Sequence, residues 1–158
     1  MKPNYELMIK QLGSLLTNEL NTISILANAS ALIYETLPNI NWAGFYLYDE
    51  KENELILGPF QGKVACMHIP MNKGVCGTSA HKKETLVVDD VHTFKGHIAC
   101  DSASESEIVI PILKDQDLFG VLDIDAPMKN RFSSEDRLYL EQFVKVLERH
   151  IMDSISLN

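Results

Sequence analysis

The chain is expected to fold as a single α+β domain, because helical apolar stripes occupy its two ends and antiparallel-strand patterns fill its middle. No internal repeat or linker divides its 158 residues, and that length can bury one core. Hydrophobic residues at 46% against 23% charged give the balance of a globular domain. The expected organisation within the domain, 1–158, is N-terminal helices over 1–40, a sheet with its loops over 41–128 and a C-terminal helix over 133–156.

Each element has its own signal. Tyr5, Met8, Leu12 and Leu15 form one helical stripe, and Ile23, Leu26, Ser30, Ile33 and Leu37 a second, which Pro38 ends. Asn41-Trp42-Ala43-Gly44-Phe45-Tyr46-Leu47-Tyr48 is rich in strand formers. The polar stretch from Asp49 to Asn53 then turns it into Leu55-Ile56-Leu57, a hairpin. Gly58-Pro59-Phe60-Gln61-Gly62-Lys63 punctuates the middle; Val64-Ala65-Cys66-Met67-His68-Ile69 reads as a strand, and Gly74-Val75-Cys76-Gly77 as a turn entering a short helix. After the short strand Leu86-Val87-Val88, residues 92–106 lack apolar periodicity and are expected to form a functional or mobile loop. Two apolar runs beginning at Ile108 and Leu118 close the sheet as a hairpin around Lys114-Asp115-Gln116-Asp117. Ser133, with Asp136 three residues on, caps a last helix striped by Leu140, Phe143, Val144, Leu147 and Ile151.

Charge narrows the function. Twenty-two Asp and Glu against 14 Lys and Arg leave a net charge of -8, which repels phosphate backbones and anionic lipid, so neither nucleic acid nor membrane is an expected partner. The chain has no apolar run of spanning length and opens without a signal-peptide core, so a cytoplasmic location is expected.

Three cysteines without CxxC spacing do not make a secreted disulfide framework. Cys100 sits in the polar loop, where a cation or backbone N–H groups can lower a thiol's pKa and make it nucleophilic. Glu107, Asp123 and Asp125 stand at the outer ends of the closing strands, in apolar sequence where an acid is costly without a partner. Alternation puts Asp123 and Asp125 on one face. An odd-numbered turn or a bulge brings Glu107 onto it, whereas an even turn alone does not, and the register stays open. Trp42 and Tyr46 share a strand face across Gly44, as core packing or as a ligand-facing aromatic pair. Cys66, His68, Cys76, His97 and Cys100 are zinc-ligand types, but no CxxC or HxxxH spacing pairs them and no metal is expected.

Several stretches carry a resemblance: Gly58-Pro59-Phe60-Gln61-Gly62, Lys73-Gly74-Val75-Cys76-Gly77, Asp90-Val91-His92, Phe94-Lys95-Gly96-His97-Ile98-Ala99-Cys100-Asp101, Ser106-Glu107-Ile108-Val109-Ile110-Pro111 and Gly120-Val121-Leu122-Asp123-Ile124-Asp125. From Trp42 to Arg131-Phe132-Ser133 the chain resembles the free methionine-R-sulfoxide reductases, whose fold is a GAF domain; it departs at Val64 and Ala126, where Pro and Ser are expected. The resemblance implies a central antiparallel sheet with the terminal helices on one face and active-site loops on the other. It further implies Cys100 as nucleophile, Cys66 as main resolving thiol and Cys76 as a third exchanging thiol. Glu107 matches the acid that bonds the sulfoxide oxygen, and Asp123 and Asp125 the acids that hold the substrate ammonium. Thioredoxin is the implied reductant, no cofactor is implied, and the protein is expected to act alone or as a homodimer. The competing classes are a non-catalytic GAF sensor of a small molecule or of redox state, and a zinc-dependent nucleobase hydrolase. Elemental analysis and a thioredoxin-coupled assay separate them.

Overall fold

The computed structural model describes residues 2–98 and 103–156, with side chains described through Ile151. Helix α1 (Tyr5–Leu16) starts where the Asn4 side chain accepts a hydrogen bond from the Leu7 N–H, and α2 (Thr22–Thr36) where Asn21 accepts from Ser24. Helix α2 stops before Pro38, which forces Leu37 into an extended conformation. The buried stripe of α1 is Tyr5, Met8, Leu12 and Leu16, not Leu15, which lies about 100° further around the helix and is exposed. In α2 the expected Ile23 is likewise exposed, and Ile25 takes a core place beside Leu26, Ile33 and a buried Ser30. The Ser30 hydroxyl is satisfied by donating to the carbonyls of Leu26 and Pro59.

Six strands follow: β1 (Trp42–Asp49), β2 (Glu54–Gly62), β3 (His68–Pro70), β4 (Leu86–Val88), β5 (Ser106–Lys114) and β6 (Asp117–Ala126). They form one antiparallel sheet in the order β3-β2-β1-β6-β5-β4. Helix α3 (Gly74–Lys82) begins at Gly74-Val75-Cys76-Gly77 itself, and α4 (Ser134–Ser156) closes the chain. The Ser133 hydroxyl accepts from the Asp136 N–H while the Asp136 carboxylate accepts from the Ser133 N–H, a reciprocal cap.

Strand alternation divides the sheet into two chemically different faces. Phe45 of β1, Ile108, Ile110 and Ile112 of β5, and Leu122 and Ile124 of β6 pack on α1, α2 and α4 as the main core. Trp42 and Tyr46, Val109 and Val121 point to the other face, under α3 and the loops, with Leu55, Ile69, Val75 and Cys76.

Three features differ from the sequence expectation. Gly58 and Pro59 do not end β2. They lie at a register shift opposite β1, and the strand continues to Gly62, an irregularity that tolerates a proline without an N–H. The run 64–69 is a strand only from His68 onward. The polar loop has regular structure or burial at its described ends: Val91–Thr93 form a 3₁₀ turn capped by the Asp90 side chain, and Ser104 and Ser106 are buried. Cys100 falls outside the described residues.

Candidate active site

The hairpin β5–β6 turns at Asp115 and Gln116, both with positive φ, a two-residue connection of the kind whose twist suits adjacent strands. Two is an even number, and near the turn Leu113 pairs with Leu118. One step later Ile112 pairs with Gly120, so Phe119 is an extra residue in β6. From that bulge onward the facing partners change parity, and Glu107 comes opposite Asp125 while Val109 comes opposite Asp123. On the other side of β6, Trp42 of β1 faces Asp125 and Gly44 faces Asp123. The result is a cross-strand row Trp42, Asp125, Glu107, with Asp123 one row along over Gly44.

These residues line one cleft with about 530 Å³ of space, its solvent mouth included, whose walls also hold Tyr46, Ala65, Ile69, Cys76, His97 and Ser104. Glu107 is 9% exposed and Asp123 5%. Cys76, brought over the acids by the first turn of α3, places its thiol 3.8 Å from the Glu107 Oε2, and one polar atom each from Cys76, Glu107 and Asp123 lie within 4.8 Å of one another. Burial, then the Asp123 charge, pushes the Glu107 carboxyl well above the usual carboxylate range; burial, then Asp125, does the same to Asp123. Burial followed by Asp123 and Glu107 also pushes the Cys76 thiol up, which keeps it protonated and weakly nucleophilic. Among the described residues no ion pair reaches Glu107 or Asp123, and the Asp123 Oδ1 is buried without a hydrogen-bond partner. A buried acid cluster with an orphaned acceptor suits a ligand that brings a cation and hydrogen-bond donors.

The aromatic wall is built in layers. Phe60, Trp42 and Tyr46 stack with centroids 5.0 and 5.9 Å apart. Gly44 makes room for that stack, since a Cβ there would lie 2.2 Å from the Phe60 Cβ. The polar edges of two of these rings are engaged by the chain itself: the Trp42 indole N–H donates to the Lys63 carbonyl at 3.1 Å and the Tyr46 hydroxyl to the Cys66 carbonyl at 2.9 Å.

The structure thus gathers Trp42, Tyr46, Cys76, Glu107, Asp123 and Asp125 at one cleft, with residue 65 of the Cys66 segment at its rim. Cys66 is disulfide-bonded and Cys76 is a free thiol. His68 is not part of this group; it pairs with Glu54 on the exposed edge of the sheet. Ser104 had no sequence signal beyond its polarity, yet its hydroxyl lies 3.4 Å from the Asn41 amide nitrogen in the cleft wall. No described helix is long and apolar enough to cross a membrane.

A GAF domain model matches residues 11–151. The chain is 49% identical over 140 residues to the free methionine-R-sulfoxide reductase of Escherichia coli (strain K12), covering 89% of this chain and 84% of that one. It superposes with a TM-score of 0.91 on fRMsr of Staphylococcus aureus in complex with substrate, at 54% identity and with 96% and 97% of the two chains covered. The free methionine-R-sulfoxide reductase of Neisseria meningitidis, in complex with its substrate, gives a TM-score of 0.94 at 40% identity over 98% and 92% of the chains. With the GAF match spanning all six strands and relatives at this identity and coverage, the chain belongs to the free methionine-R-sulfoxide reductase family of GAF-domain proteins.

Proposed function

We propose that this protein reduces free L-methionine-(R)-S-oxide to L-methionine, with Cys100 as nucleophile, Cys66 as resolving thiol and a thioredoxin-type dithiol as reductant. The observation that carries the reading is the buried acid cluster with its orphaned Asp123 acceptor, which matches the ammonium group of a free amino acid. A methionine residue within a protein has an amide there, which carries no charge. The substrate complexes of the Staphylococcus aureus and Neisseria meningitidis relatives support the same substrate class.

The chemistry uses Glu107 in the protonation state its surroundings favour. A sulfoxide sulfur becomes electrophilic when its oxygen receives a proton, and the raised Glu107 carboxyl is a neutral acid able to give one. The Cys100 thiolate attacks that sulfur; collapse of the adduct releases methionine and leaves the oxygen on Cys100 as a sulfenic acid. The Cys66 thiolate then attacks the sulfenic sulfur, the S–S bond forms as the S–O bond breaks, and the leaving hydroxide takes up a proton from solvent to become water. Two electrons from the external dithiol restore both thiols by exchange. The disulfide on Cys66 supports its place in this cycle over Cys76, whose buried thiol is held protonated.

The test is NADPH consumption through thioredoxin reductase and thioredoxin with free L-methionine-(R)-sulfoxide, its S epimer and the N-acetylated R compound. Activity is expected on the first alone. Blocking the ammonium takes the cationic partner away from the buried Asp123, and breaking one buried ion pair typically costs about 3 to 5 kcal/mol, or a loss of two to four orders of magnitude in kcat/KM. Comparable turnover of the N-acetylated compound overturns the ammonium role, and a stoichiometric methionine burst from Cys100→Ser overturns the nucleophile.

A further inference from the structure

We infer that Tyr46, supported by Trp42, is a positioning residue for the resolving step: its hydroxyl holds the backbone of Cys66 where the disulfide must close. This rests on the reading of Cys66 as the resolving thiol.

Residues 63–67 run between β2 and β3 without a strand partner of their own. Their outward side chains give little hold, since Val64 is 89% exposed and Met67 69%. Besides the Cys66 disulfide and the packing of Ala65 and Cys66 on the cleft-side core, three carbonyl hydrogen bonds hold the segment: Lys63 to the Trp42 indole, Cys66 to the Tyr46 hydroxyl, and Met67 to the Leu57 N–H of β2. Two of these three anchors come from the aromatic wall of the cleft. Both rings are buried and stacked on one another, and Trp42 is stacked on Phe60 as well, so the donors stand on packed supports. At the start of the segment, Gly62 has a φ of +133° and passes so close to Trp42 that a Cβ would lie 2.6 Å from the indole Cδ1. The Cys66 carbonyl is therefore pinned by a buried phenol, with the segment's other end packed against an indole.

Disulfide closure is an intramolecular attack, and its rate depends on how narrowly the attacking thiol is confined. Freeing the Cys66 carbonyl spreads the reduced segment over more conformations, which slows closure and weakens the disulfide relative to the dithiol. The surroundings also keep the phenol a donor: burial first, then the charges of Asp123 and its neighbours, push its proton affinity upward. The indole and phenol thus spend their polar edges on the protein, leaving mainly their ring surfaces to any ligand.

The experiment is a double-mutant cycle between Tyr46→Phe and Cys66→Ser, read by rapid-quench single turnover with free L-methionine-(R)-sulfoxide, by alkylation of remaining thiols, and by redox titration against glutathione. In the Cys66-containing protein, Tyr46→Phe is expected to slow disulfide closure about five- to tenfold, in keeping with loss of one hydrogen bond, and to move the potential up to about 30 mV less negative. In the Cys66→Ser background the same change should alter the methionine burst far less than it alters closure. Trp42→Phe, which removes the Lys63 anchor, should shift closure in the same direction. Equal slowing of the burst in the Cys66→Ser background would make Tyr46 a substrate contact and overturn the inference, as would unchanged closure and potential in a folded Tyr46→Phe protein. Absence of any burst from Cys66→Ser alone would instead overturn the underlying assignment of the thiols.

Discussion

Replacing Asp123 by Asn should make the ligand-free protein more stable while disabling it. In the folded chain the carboxyl is buried, faces Asp125, and leaves one oxygen without a partner. An uncompensated buried polar or charged group costs about 1 to 3 kcal/mol. Taking about 2 kcal/mol, and about 3 °C per kcal/mol for a domain of this size, the Asn variant should melt ~6 °C higher at pH 8. The pH dependence has a definite sign. Because the folded-state pKa is raised above the unfolded value of about 3.9, the folded chain retains a proton that the unfolded chain has released. The group's contribution is thus most favourable below about pH 4 and declines as pH rises toward the folded-state pKa. Scanning fluorimetry of both proteins from pH 5 to 8 should therefore show their difference widening with pH. Saturating L-methionine should reverse the order, since a ligand at a hundredfold its Kd adds about 2.7 kcal/mol to the wild type and little to the variant. A variant that melts below the wild type at pH 8, or that gains equally from methionine, would refute the ammonium-site reasoning.

Glu107→Gln removes the neutral acid but keeps the shape, and should lower the first-turnover rate by about 10² to 10⁴ in stopped assays. Because Glu107 must be protonated and burial raises its pKa, the wild-type rate should fall as pH rises through that raised value; an alkaline limb retained unchanged in the Gln variant would assign the titration elsewhere. Gly44→Ala sets a methyl group 2.2 Å from the Phe60 Cβ, and forcing that backbone apart should cost about 1 to 3 kcal/mol, seen as a melting point roughly 3 to 9 °C lower and a changed near-UV tryptophan signal.

What could be read in the sequence was what depends on local pattern. The α4 stripe and the Ser133 cap follow from spacing alone, and Glu107, Asp123 and Asp125 stood out because acids interrupt otherwise apolar strands. Less legible were features set by tertiary packing. Leu15 and Leu16 are equally apolar neighbours, and only the helix pairing decides which of them faces inward. The proline at position 59 reads as a strand end until β1 and the Ser30 hydroxyl of α2 are in place to accommodate the irregularity. Tyr46 carried a strand signal and an aromatic one, but nothing local tells that its hydroxyl reaches the Cys66 carbonyl twenty residues away. The cysteine roles rest on resemblance, and the Cys100 position lies outside the described residues.

The register of the closing hairpin shows how stability and function are divided within one sheet. A two-residue turn alone would pair Glu107 with Ile124, putting the glutamate on the opposite face from Asp123 and into the apolar layer beneath α4. Phe119 prevents this by adding one residue to β6, and the parity change lets Ile108, Ile110, Leu122 and Ile124 all meet the helices while Glu107, Asp123 and Asp125 all meet the cleft. The helix-side layer is apolar and buried, and it can offset an acid cluster that is unfavourable without its ligand. Confining that penalty to the far face means a cationic ligand relieves it without disturbing the core, so the same burial that weakens the empty domain strengthens its selectivity for a charged ammonium.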